Sequence, residues 1–129
     1  MVKRQGKIII APGLNIWPHE LKTAEALAGA GYVVEFVKKS EIDFEKTADT
    51  LIDGIRWEFK SPTSDSLKAI ERNLKRGRWQ SENIVFDCRR MKKIPDQAIQ
   101  REVRKQAQCI PGIKRVLFID RHSKVIDIG

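Results

Sequence analysis

The order of elements in this chain predicts an α/β fold, with a central mixed β-sheet flanked by helices. Three observations carry that reading. Gly and Pro cut the 129 residues into short segments, three of those segments repeat apolar residues at helical spacing, and the others are strand-like runs rich in β-branched and aromatic residues.

Residues 1–14, with three consecutive isoleucines, form an N-terminal extension or an edge strand. In "NIWPHELKTAEALAGAGY" a helix is entered near Pro18, runs on Leu21, Ala24, Leu27 and Ala28, and ends at Gly29 or Gly31. "GYVVEFVKK", through Lys39, is a strand. "ADTLI" and "IRWEFK" flank Asp53-Gly54, the strongest short hairpin signal a sequence offers. A second helix spans Ser66 to Arg78 on Leu67, Ile70 and Leu74. "NIVFDC" is a strand, "PDQAIQREVRKQ" a third helix, and "KRVLFID" with "KVIDI" a closing strand pair around "RHS".

The length suits one domain, residues 1–129. No segment has the apolar length of a signal-peptide core or a membrane span, so a cytoplasmic location with no membrane partner is expected. Cys88 and Cys109 lack metal-ligand spacing, and the expectation is two free thiols. Charge is unevenly placed. Residues 60–105 hold 13 Lys/Arg against 6 Asp/Glu and supply most of the net +8. A polyanion is the partner this bias points to, with nucleic acid ahead of a lipid surface because the cations accompany no strongly apolar helix face.

The hairpin carries the candidate chemistry. A two-residue turn at Asp53-Gly54 sets the register: Ile52 opposes Ile55, Leu51 opposes Arg56, Thr50 opposes Trp57, and Asp49 opposes Glu58. The last pair would have Cβ atoms about 4.5 to 5.5 Å apart on one sheet face. Lys60 shares that face, and Ile52, Ile55, Trp57 and Phe59 take the other, as a core demands. Opposed carboxylates repel, whereas a divalent cation between them would make the arrangement favourable. Mg²⁺ or Mn²⁺ suits, because such ions are held by one or two carboxylates, water and substrate phosphate. Asp53 belongs to turn chemistry instead.

The pattern Asp49-x8-Glu58-x-Lys60 resembles the active-site signature of the PD-(D/E)XK, or restriction-endonuclease-like, nuclease superfamily, with Ala48 where that family often has proline. Most of residues 15–128, including "PHELKTAEALAGAGYVVEFV", "TADTLIDGIRWEFKSPTS" and "IKRVLFIDRHSKVIDI", resembles the C-terminal toxin domain of contact-dependent growth inhibition proteins of the CdiA type, in the branch that cleaves tRNA. That resemblance implies a PD-(D/E)XK nuclease fold, metal-dependent RNA cleavage with tRNA as substrate, and an acidic immunity protein as partner. It also implies a further metal-coordinating acid on the first helix. Glu20 and Glu25 are the candidates; separated by about 140° around the helix they cannot both serve, and Glu20 is preferred from its place in the resembling stretch.

Substrate contacts are expected on the second helix, where Lys68, Arg72, Lys75 and Arg76 form a basic stripe beside the apolar seam, and on Arg89 and Arg90 after the strand "NIVFDC". Asp87 is either an arginine partner or an exposed strand-end acid. Trp79 is either a base-stacking or a packing residue. Two rivals accompany the tRNase reading: a DNA endonuclease of the same superfamily, and a non-catalytic nucleic-acid-binding domain.

Overall fold

The computed structural model describes residues 5–38 and 48–128, so Lys39, the last residue of the expected second strand, lies outside the described residues. Two compact units make up the chain, residues 1–57 and 58–129.

In the first unit, β1 (Lys7–Ile10) pairs in parallel with β2 (Val33–Lys38), and α1 (Pro18–Gly29) makes the crossover that a parallel pair requires. Of the two readings for the N-terminal segment, the strand is the one observed, with Ile9 and Ile10 exposed. β2 runs antiparallel to β3 (Ala48–Ile52), and β3 antiparallel to β4 (Ile55–Lys60). Period-two alternation decides the buried side. Val34, Phe36, Thr50, Ile52 and Trp57 are buried, and Ala24 and Leu27 are the buried apolar residues of α1. Ile55, expected in the core, is instead 51% exposed. It adjoins the turn, where the ladder ends and neighbours are few.

The second unit repeats the strand-helix-strand pattern. The last three residues of β4 pair in parallel with β5 (Asn83–Asp87), and β5 pairs in parallel with β6 (Arg115–Ile119). The crossovers are α2 (Lys68–Gln80) and α3 (Asp96–Cys109), and β7 (Val125–Asp127) closes antiparallel to β6. Every residue of β5 is buried, as the continuous apolar run of a central parallel strand requires. The core joins Ile70 and Leu74 of α2, Ile99 and Val103 of α3, and Ile84, Phe86, Val116 and Phe118 of the sheet. Phe86 and Phe118, partners in register, stack with centroids 6.3 Å apart.

Helix ends differ modestly from expectation. α2 begins at Lys68 because the Ser66 hydroxyl accepts from the Lys68 N–H at 3.2 Å, holding Ser66 just outside the first turn. α3 continues to Cys109, carrying its apolar side on to buried Ile110 before Pro111 stops it. Gly77 lets α2 approach the sheet: a Cβ there would lie 3.1 Å from Ile84 Cδ1.

Candidate functional site

The β3–β4 hairpin has the register set by its turn. Asp53 and Gly54 both take positive φ, 50° and 84°, and Ile52 faces Ile55, Leu51 faces Arg56, and Thr50 faces Trp57. The Asp53 side chain has a structural task as well, since its Oδ1 accepts from the Val33 N–H at 3.1 Å while its own N–H donates to the Val33 carbonyl at 2.9 Å. The turn thereby ties the hairpin to β2.

Because Thr50 and Ile52 point into the core, Asp49 and Leu51 project from the other face of the first unit's sheet. There Asp49 Oδ1 accepts from Arg56 Nη2 at 3.0 Å, a diagonal cross-strand ion pair. Sequence reasoning had assigned the compensating positive charge to a metal ion and missed Arg56. The signal was available: Arg56 is two residues before Glu58 and shares its side of the strand.

In the second unit, Glu58 lies beside Ile84 and Lys60 beside Phe86 in the parallel ladder. Those two β5 side chains belong to the core beneath α2 and α3, so Glu58 and Lys60 lean toward the helix-covered face. The Lys60 stem confirms it, with Cε 3.5 Å from where a Cβ on Gly77 would stand. Both residues are half-buried.

Glu20 occupies the third position of α1. Burial pushes its carboxyl above the ordinary range, partly opposed by a hydrogen bond from the Trp17 backbone at the helix entrance. That bond is one half of a capping box. The Trp17 and His19 rings stack at 6.2 Å, and Glu25, the alternative, is exposed. Among the described residues, no group of three or more His, Cys, Asp or Glu side chains is arranged to hold a metal ion.

The basic residues divide into two sets. Lys68, Arg72, Lys75 and Arg76 are exposed on one side of α2, away from buried Ile70, Leu74 and Gly77. Lys75 contacts Glu71 at 2.6 Å and holds that carboxyl below its ordinary range. Arg89 and Arg90, in contrast, tie down the end of β5. Arg89 grips buried Asp87 with Nε at 2.9 Å and Nη2 at 2.7 Å, and its Nη1 donates to Ser123 Oγ at 3.0 Å. Arg90 Nη1 donates to the Ser61 carbonyl at 2.9 Å. Asp87 is thus an arginine partner. Sequence reasoning passed over α3, where Gln97, Gln100, Arg101 and Arg104 line a groove; their spacing on one helix side was the available signal.

Both cysteines are free, Cys88 buried and Cys109 exposed. Among the described residues, no helix is long and apolar enough to cross a membrane.

The family model described as the contact-dependent growth inhibition CdiA C-terminal domain matches residues 46–125. A solved structure described as a CdiA-CT/CdiI toxin and immunity complex from Burkholderia pseudomallei shares the fold. It has 20% sequence identity and a TM-score of 0.62, over 95% of this chain and 96% of that one. No curated protein matches the sequence.

Proposed function

The chain belongs to the contact-dependent growth inhibition CdiA C-terminal domain family, and from that premise we propose that it is a toxin domain of PD-(D/E)XK type, a metal-dependent endoribonuclease that cleaves tRNA. The observation that supports this most is the hairpin register. Thr50 faces Trp57, the next residues along the two strands are Asp49 and Glu58, and Lys60 follows with the same alternation.

Asp49 and Glu58 would hold Mg²⁺ or Mn²⁺, with Glu20, or Glu25 in its place, as the further acid. The donor set suits these hard ions, which need only one or two carboxylates when water and substrate phosphate complete the shell. When bound, the ion neutralises the phosphate and stabilises charge developing in the transition state. Lys60 orients the attacking water and offsets negative charge on the phosphate. The exposed cations of α2 hold the flanking backbone by charge alone, which positions the substrate without reading its sequence. Arg89 and Arg90 set the shape of the β5 end and contribute positive potential there.

The partner expected for such a domain is an acidic immunity protein that covers the basic surface. The neighbouring solved structure, described as a toxin and immunity complex, supports that expectation.

Incubating the protein with tRNA and with plasmid DNA, each with Mg²⁺ and with chelator, tests the reading. We expect tRNA cleavage that chelator abolishes, and intact plasmid. Cleavage of plasmid alone would establish a DNA endonuclease. Retained binding with no cleavage of either would establish a non-catalytic nucleic-acid-binding domain.

A further inference from the structure

On α2 the cations share their stripe with an indole. At about 100° per residue, Lys68, Arg72, Lys75, Arg76 and Trp79 all fall on the side opposite Ile70, Leu74 and Gly77, which are buried. Trp79 is 78% exposed, more than Trp17 at 66%, and contrasts with Trp57 at 3%. A solitary exposed apolar side chain is ordinary in itself, but this ring is held in place. The Arg78 guanidinium carbon lies 4.9 Å from the indole centroid. Arg78 is anchored in turn, its Nη1 donating to the Pro111 carbonyl at 2.9 Å. Its Nε is shielded from solvent and has no hydrogen-bond partner among the described residues, so the guanidinium is committed to the ring and the loop.

One side of the indole is therefore backed by a fixed cation, and the residue stays open to solvent. Flanking guanidinium groups at Arg76 and Arg72 sit one and two turns back along the helix. A preordered aromatic plane beside cations that track a phosphate backbone is the arrangement that stacks a nucleobase. Within a duplex a base is covered on both sides by its neighbours, and only an unpaired one has a face to offer.

We propose that Trp79 is a stacking platform for an unpaired nucleotide of the nucleic-acid substrate, with Arg72 and Arg76 on the adjacent phosphates. This rests on nucleic acid being the partner, as in the proposed function, but not on cleavage.

The test measures binding by the full chain in chelator, so that no substrate is cut. Three labelled probes are compared: a single-stranded RNA of about 12 nucleotides, within the site sizes such surfaces cover, the same RNA annealed to its complement, and an abasic strand of equal length. For the single strand, Trp79→Ala is expected to raise Kd about tenfold, and Trp79→Phe to restore most of the loss. Kd for the duplex and the abasic strand should not move. An unchanged single-strand Kd would overturn the proposal and leave the indole to a protein interface. Equal weakening on all three probes would overturn it too, because it would show a change in folding or charge rather than stacking. An inactive wild-type protein that still gave the Trp79-dependent result would refute the nuclease reading alone. Active protein indifferent to Trp79 would refute the platform alone.

Discussion

Two aspartates show how burial separates a structural acid from a candidate functional one. Asp87 is 3% exposed and receives a bidentate grip from Arg89. Removing it strands a guanidinium in a partly buried place, and Asp87→Ala should destabilise the protein by about 3 kcal/mol in urea titration. Asp49 is held by an ion pair, 3.0 Å to a one-third exposed Arg56. A partly buried pair still reached by solvent contributes about 1 kcal/mol, so Asp49→Ala should cost about that much while removing cleavage. Glu20 adds a pH signature. Its carboxyl is raised by burial, so the folded state binds its proton more tightly than the unfolded chain. The stability it contributes is full below the ordinary carboxylate range and is lost as pH rises through its higher folded value. Glu20→Gln keeps the capping geometry. Its melting temperature should match wild type at low pH and equal or exceed it at neutral pH; a variant less stable at neutral pH than at low pH, relative to wild type, would contradict the assignment.

At the scale of elements, Gly54 and Gly77 act for different reasons. Gly54 has φ +84° with open space around it, so Gly54→Ala meets only the backbone penalty of the left-handed region, about 1 kcal/mol. Gly77 meets Ile84, and Gly77→Val should destabilise by about 2 kcal/mol through overpacking between α2 and β5. Thermal denaturation separates both from wild type. The cysteines offer a probe of the same layer. Cys88 follows β5 directly, and burial, with Asp87 nearby, pushes its thiol up to about 12. It should ignore a thiol reagent that labels exposed Cys109 at neutral pH, both reacting once the protein is denatured. These elements were largely legible in advance. Asp53-Gly54 announced its hairpin because few residue pairs accept two successive positive φ values, and helices with strong seams such as Ile70 and Leu74 were found to within a few residues. Their ends were read less closely: Ser66 accepts from the Lys68 N–H just outside the first turn, and α3 runs on to Cys109 because buried Ile110 extends its apolar side.

Across the whole molecule, the charge excess of residues 60–105 resolves into cations with different tasks. Arg78, Arg89 and Arg90 are tied to carbonyls or a carboxylate, and the exposed cations lie on α2, at Lys92 and Lys93, and on α3 at Arg101, Arg104 and Lys105. Composition could not make that division, because it depends on which carbonyls and carboxylates tertiary structure brings near each guanidinium. The sequence pointed to Asp49, Glu58, Lys60 and the α2 stripe; Arg56 at Asp49 was legible from the same register, as its diagonal neighbour, but was passed over because the compensating charge had been given to a metal ion. If the four α2 cations each neutralise about one phosphate, the logarithm of the RNA association constant should fall against the logarithm of salt with a slope of about −3. Replacing Arg72 and Arg76 with alanine should reduce that slope by about half, as read by binding titrations at several salt concentrations.

The most direct measurement is the rate of tRNA cleavage in Mg²⁺ by wild type, Glu58→Gln and Lys60→Ala, each first shown to retain wild-type circular dichroism and melting. Loss of at least about a hundredfold in both variants is expected if these groups carry the chemistry. Folded variants that cleave at the wild-type rate would contradict the account at its centre.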